Sequence, residues 1–437
     1  MTTTKSLLFA CAALGTAFPA AAADLLEIYR AAQQQDAVFA GAQAAQRAGR
    51  EKLAQGRSLL MPSVNLTANS TFNNTSTVPA SPGENRFNSH GYAVNLTQPL
   101  FRQQNWQAYS AAELQVAQTD AQFKNAGQEL ILRVTQAYFD VLIAQDNVRL
   151  ALAQKSAIAE QLEQAKRNFE VGSATITDTY EAQARYDLVG AQEIAAQSNL
   201  EVKMNSLQQL INAKPGTLQQ RGQQFKPEAP QPPDMEKWVE QAQQNNLQLA
   251  VVRAAAELAE KEVARNRGGH YPTLDLVANY SKNSANGGSL GVGSDSNATA
   301  VGVQFNMPLF QGGATHSKWR EAAANRDRAR EELENARRNV DLQTRQAYLG
   351  VVNGIAQVQA LQQAVKSGAS LLEASKLGQE VGVRTNLDVL NAQQQLYSTQ
   401  RDLYQAEYNY LLSQLRLKAA AGTLAEDDLA KVNQALY

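Results

Sequence analysis

Four stretches of the chain alternate apolar and polar residues: Pro62-Ser-Val-Asn-Leu-Thr-Ala-Asn-Ser, Tyr92-Ala-Val-Asn-Leu-Thr, Thr273-Leu-Asp-Leu-Val-Ala-Asn-Tyr and Val301-Gly-Val-Gln-Phe-Asn-Met. A period of two belongs to strands with one apolar and one polar face. Each pair is joined by a stretch rich in Gly, Asn, Ser and Pro, about 77–88 and 283–298. The pattern predicts two β-hairpins, about 62–99 and 272–308. Strands of roughly ten residues have the length that crosses an outer membrane.

A second period fills much of the rest. Val134, Tyr138, Val141, Val148, Leu152, Ala159, Leu162 and Phe169 fall on a 3-4 stripe, and Tyr348, Val351, Val358, Ala369 and Leu372 follow the same spacing. No proline lies between Pro99 and Pro215, or after Pro308. Ala, Gln, Leu, Glu and Arg dominate both stretches and favour helix. Long helices are therefore expected at about 103–212 and 314–420, broken near Val171-Gly172 and Val381-Gly382. The arm from Gln103 to Phe169 alone reaches about 100 Å at the helical rise. The return arms, about 178–211 and 388–420, give one antiparallel coiled hairpin per half.

The halves are copies. Pro62 recurs as Pro272, Leu66 as Leu276, Ala137-Tyr138 as Ala347-Tyr348, Asp178 as Asp388 and Asp24 as Asp234, all 210 positions apart. One constant offset means duplication of a single large unit. The expected layout is a first repeat at 24–212, a Pro- and Gln-rich linker at 213–233, a second repeat at 234–421 and a tail at 422–437.

The first 23 residues read as a signal peptide, with Lys5, an apolar run from Ser6 to Leu14 and Ala21-Ala22-Ala23 at the cleavage site. Cleavage leaves Asp24, where the repeat begins. The sole cysteine, Cys11, lies in this segment, so the mature chain has no disulfide, thiolate or Cys-metal chemistry. Lipidation at Cys11 is the weaker reading, because the apolar run before it is very short. No run of about 18 apolar residues follows, so no membrane-spanning helix is expected. A net charge of -1 leaves no electrostatic footprint for nucleic acid.

Counting strands then constrains the assembly. A lone hairpin is marginally stable, and a membrane barrel needs about eight strands. Four per chain requires several chains to share one barrel. The alternative is a small soluble sheet capping a coiled coil.

Phe169-Glu-Val-Gly-Ser-Ala-Thr-Ile-Thr-Asp, Val381-Gly-Val-Arg-Thr-Asn-Leu-Asp-Val-Leu and Pro308-Leu-Phe-Gln-Gly-Gly, within a two-half layout, resemble the TolC family of outer-membrane efflux ducts over essentially the whole mature chain. The resemblance implies a homotrimer: a membrane β-barrel of twelve strands, four per protomer, on a long α-helical coiled-coil barrel crossing the periplasm. It implies docking to a periplasmic adaptor (membrane fusion) protein and an inner-membrane RND, ABC or MFS transporter. It also implies contact with outer-membrane lipid and passive conduction in efflux or type I secretion.

The resemblance assigns roles to the tips. Asp388 faces the narrow periplasmic entrance, with Asn391 where relatives often carry a second acidic ring. Arg384 closes the entrance against a neighbouring hairpin, with Thr177, Asp178 and Gln161 as partners. Gln379 and Lys376 depart from the family's pattern of an aromatic and an acidic residue. Val171, Gly172 and Ser173, with Val381, Gly382 and Val383, are expected to meet the adaptor. Independently of any family, Thr175-Ile-Thr-Asp178 and Thr385-Asn-Leu-Asp388 have capping-box spacing, which explains both Asp residues structurally.

Catalysis finds no support. His90, His270 and His316 have no ligand spacing. Gly268-Gly269, Gly287-Gly288 and Gly312-Gly313 read as turns, since no Gly-x-x-x-x-Gly-Lys follows a strand. No enzyme activity, cofactor or metal is expected. The rival function is a periplasmic coiled-coil adaptor or scaffold without a channel.

Overall fold

The structure, a computed structural model, describes residues 23–75, 85–219, 222, 225–288 and 292–436. The expected signal segment, with Cys11, and most of the expected loop at 77–88 lie outside the described residues. The element order is α1 (Leu25–Gln35), α2 (Ala37–Ser58), β1 (Ser63–Thr75), β2 (Asn85–Phe101), α3 (Gln103–Glu170), α4 (Ile176–Ile211), α5 (Met235–Asn245), α6 (Leu247–Arg267), β3 (Thr273–Ala285), β4 (Ser294–Asn306), α7 (Ala314–Glu380), α8 (Asn386–Ala420) and α9 (Glu426–Leu436).

The strands outrun their expected ends. β2 starts inside the stretch read as loop, as do the end of β3 and the start of β4. Asn, Ser and Thr continue the backbone ladder there, because antiparallel hydrogen bonding needs no apolar side chain. Helices α1, α2, α5 and α6 were not anticipated. Three glycines weaken the helical signal of α2. Two of them serve packing: a Cβ at Gly49 would lie 2.4 Å from Thr119 Cγ2, and one at Gly56 would lie 2.6 Å from Ala112 Cβ. Both contacts are with α3, so the glycines let the two helices approach closely.

The helices form four parallel columns. α3 and α7 each run the full length from sheet to tip. α2 packs on the sheet-proximal part of α3 and α4 on its tip-proximal part; α6 and α8 do the same for α7. α3 also packs on α6 and α8, which joins the two halves. The main core lies at mid-length, where Leu25, Tyr138, Phe139, Leu207, Trp238, Val351, Tyr408 and Leu429 share one buried cluster.

The duplication extends to single hydrogen bonds. The Tyr138 hydroxyl donates to the Ala23 carbonyl at 3.3 Å, and its equivalent, Tyr348, donates to the Pro233 carbonyl at 2.5 Å. Asp36 caps α2 through the Phe39 N–H at 2.6 Å, and Asn246 caps α6 through the Leu249 N–H at 2.9 Å. One pair is inverted: Arg50–Asp120 (3.1 Å) joins α2 to α3, whereas Glu260–Arg330 (3.0 Å) joins α6 to α7.

The sheet is antiparallel in the order β1-β2-β3-β4. Its register aligns Val64 with Leu96, Leu96 with Ala278 and Ala278 with Val301, and the next row runs Leu66, Val94, Tyr280, Thr299. Between these rows lies a polar one, where the Asn279 amide donates to Asn95 at 2.5 Å beside Asn65. The apolar rows are bare: Leu66 is 70 % and Val301 71 % exposed. Among the described residues, β1 and β4 have no strand partner on their outer edges. At the foot of the sheet, the Arg102 guanidinium grips the buried Asp275 carboxylate with two bonds, 2.7 and 2.6 Å.

Candidate functional site

The two helical tips are near-superimposable turns. In the first, α3 ends at Val171, Gly172 takes a left-handed φ of 76°, and the Ser173 and Ala174 N–H groups donate to the Asn168 carbonyl. In the second, α7 ends at Val381, Gly382 has φ 79°, and the Val383 and Arg384 N–H groups donate to the Gly378 carbonyl. That conformation favours glycine. Both turns leave valines in solvent: Val171, Val381 and Val383 are all exposed.

Each return helix starts with a full capping box. Thr175 Oγ1 accepts from the Asp178 N–H, while Asp178 Oδ2 accepts from the Thr175 N–H at 2.9 Å. Thr385 and Asp388 repeat this, with the reverse bond again at 2.9 Å. The Thr385 N–H and hydroxyl hold the Asp388 carboxyl below its usual range, and Arg384 adds to the effect. Asp388 is therefore a stable anion at neutral pH.

Arg384 has a seat that sequence reasoning missed. Its side chain folds across Gly378, where a Cβ would lie 2.6 Å from Arg384 Cγ, and its Nη1 lies 3.9 Å from Asp388 Oδ1. The first tip has Asn168 and Ala174 at these positions, so this arrangement exists only in the second repeat. The signal was a helical glycine six residues before the arginine. Within one chain the structure places Arg384 on Asp388, while Asp178 is occupied by Thr175. It does not bring Arg384 onto Thr177 or Gln161. Gln161 is buried on α3, and its Oε1 has no hydrogen-bond partner.

Asn391 also has a partner that was not anticipated. Arg185 of α4 reaches across to α8, where its Nη2 donates to Asn391 Oδ1 at 2.9 Å and its Nη1 to Gln394 Oε1. Beneath this bridge, Ile158, Val189 and Leu390 form a small buried cluster joining α3, α4 and α8.

Among the described residues, no helix is long and apolar enough to cross a membrane, and no His, Cys, Asp and Glu residues group as a metal site. His90 lies within β2 opposite Ser70.

Comparison with known proteins places this geometry. The family model described as outer membrane efflux protein matches residues 28–213 and 238–423. The chain is 37 % identical over 433 residues to the outer membrane protein TolC of Vibrio cholerae, covering 98 % of each chain. It is 34 % identical to the alkaline protease secretion protein AprF of Pseudomonas aeruginosa, covering 93 % of this chain and 86 % of that one. The solved Campylobacter jejuni CmeC outer membrane channel superimposes with a TM-score of 0.79 at 17 % identity, covering 94 % and 90 %. The adaptor or scaffold alternative is therefore set aside. With its bare apolar sheet, column-like helices and duplicated tips, the chain belongs to the outer membrane efflux protein family, and is an exit duct of the Gram-negative outer membrane with a helical periplasmic extension.

Proposed function

We propose that three copies join their sheets edge to edge into one twelve-stranded barrel, and their helical columns into one tube. The observation that carries this reading is the four-stranded sheet with an exposed apolar face and two unpaired edges. Such edges are a liability unless paired or closed, and an apolar band of this kind belongs against lipid. The duct conducts passively, and an inner-membrane transporter of the RND, ABC or MFS class supplies the energy. A periplasmic adaptor meets the exposed turns at 171–173 and 381–383. AprF is named for alkaline protease secretion, which makes a type I secretion partner as compatible with this chain as an efflux pump.

The periplasmic entrance is the ring of three Asp388 carboxylates, with Asn391 one turn further on. Arg384 swings from Asp388 to Thr177 and Asp178 of the adjoining copy, with Gln161 behind them, and so holds the entrance shut. A fork of five N–H donors satisfies such acceptors together. Two variants test this reading in planar bilayers. Asp388→Ala loses block by trivalent cations, and Arg384→Ser raises single-channel conductance. Unchanged block in the first, or conductance no higher than wild type in the second, contradicts the corresponding role.

A further inference from the structure

The Arg185 bridge has no counterpart in the other half of the molecule. Its repeat-equivalent position is Gln395, and that of Asn391 is Glu181. Each chain therefore contributes one such guanidinium. Both acceptors, Asn391 and Gln394, are neutral and exposed on α8. The positive charge is therefore fixed in position without being cancelled inside the bridge. Asn391 follows Asp388 by three residues, which places their Cβ atoms about 5–6 Å apart on one helix face. The bridge therefore anchors the guanidinium about one helical turn along α8 from the residue that carries the carboxylate. Asp388 already faces Arg384 at 3.9 Å.

We propose that Arg185 is a charge-selectivity residue of the duct: it brings a guanidinium from α4 to the exposed face of α8 and offsets the Asp388 ring. The entrance is then a mixed-charge constriction, tolerant of cargo bearing carboxylate or phosphate groups. This rests on the reading of Asp388 as the entrance. The bridge's neutral acceptors matter to the argument. An Asp at position 391 would pair with Arg185 and remove the free charge, whereas Asn fixes the side chain and leaves the charge available. An Arg fork suits two adjacent amide oxygens better than a single ammonium would.

The test is reversal potential in a KCl gradient across a planar bilayer, for wild type, Arg185→Gln, Arg185→Lys and Asp388→Asn, each checked for assembly by unheated gel mobility. Arg185→Gln is expected to raise the cation-over-anion permeability ratio several-fold. Arg185→Lys is expected to stay near wild type, and Asp388→Asn to shift the ratio toward anions. If Asp388→Asn shifts the ratio and Arg185→Gln does not, the Arg185 proposal is overturned while the entrance reading stands. If Arg185→Lys behaves like Arg185→Gln, bridge geometry and not charge is responsible, which also overturns it. If neither Asp388→Asn nor Arg185→Gln moves the ratio, the entrance lies elsewhere and both readings fall together.

Discussion

At the scale of the residue, two of the differences between the tips act together: Gly378 stands for Asn168 and Arg384 for Ala174. A methyl group at 378 meets the Arg384 stem at 2.6 Å, so Gly378→Ala is expected to displace the arginine and raise single-channel conductance as Arg384→Ser does. Gly127→Ala, where a Cβ meets nothing within 4 Å, is the matched control and is expected to leave conductance unchanged. The capping box makes a second prediction. Asp388 has a folded-state pKa depressed below its ordinary 3.8. Its contribution to the tip is therefore complete above that value and is lost as pH falls through the lower, folded one. Hydrogen exchange at residues 383–390 should show protection that is flat from pH 7 to about 5 and falls only in stronger acid. In Asp388→Asn that acid-dependent loss should be absent. The capping boxes were legible from Thr-x-x-Asp spacing alone. The Arg185 bridge was not, because its acceptors lie 206 and 209 residues away on another hairpin.

At the scale of the element, the inverted ion pair specifies partners. Arg50–Asp120 and Glu260–Arg330 occupy equivalent positions with opposite polarity. Pairing α2 with α7 would set Arg50 against Arg330, whereas α6, which packs on both α3 and α7, turns Glu260 to the α7 side. Such like-charge contacts discriminate among similar surfaces. Arg50→Glu is expected to lower stability against heat or denaturant by up to about 1 kcal/mol, the scale of an exposed pair. Adding Asp120→Arg should restore it. A larger loss that the second change does not rescue would assign Arg50 another role. The buried tyrosine anchors act on the same scale. Tyr410 donates to the Glu228 carbonyl at 2.7 Å and accepts from its N–H at 2.8 Å, which ties the linker to α8. Tyr410→Phe leaves both groups unpaired in a half-buried site, at a cost of about 1–3 kcal/mol. Protease cleavage within 214–233 should rise in that variant. Long helices and strands were visible in their periods, since each repeats one pattern many times. Helices α2 and α6 were not, because the contacts that stabilise them lie on α3 and α7 and glycine obscured the first.

At the scale of the whole molecule, the offset of 210 residues set the architecture before any coordinates. Duplicated hairpins predict duplicated strands, and four strands predict an incomplete barrel. The structure adds the geometry that counting could not supply: one sheet, not two separate hairpins, because β2 pairs with β3 across the repeat boundary. The same boundary is crossed by Arg102 and Asp275, whose repeat equivalents are Gly312 and Asn65. The junction inside a chain is thus locked by a bidentate ion pair, and the junction at the outer edges, β4 to β1, lacks those charges. Closure between copies must come from the strand edges and the apolar rows. Native mass spectrometry of the mature protein, extracted from outer membranes in detergent, tests this most directly. Three chains per particle is the expected result, and a single chain or a dimer that still conducts in a bilayer would contradict the shared barrel.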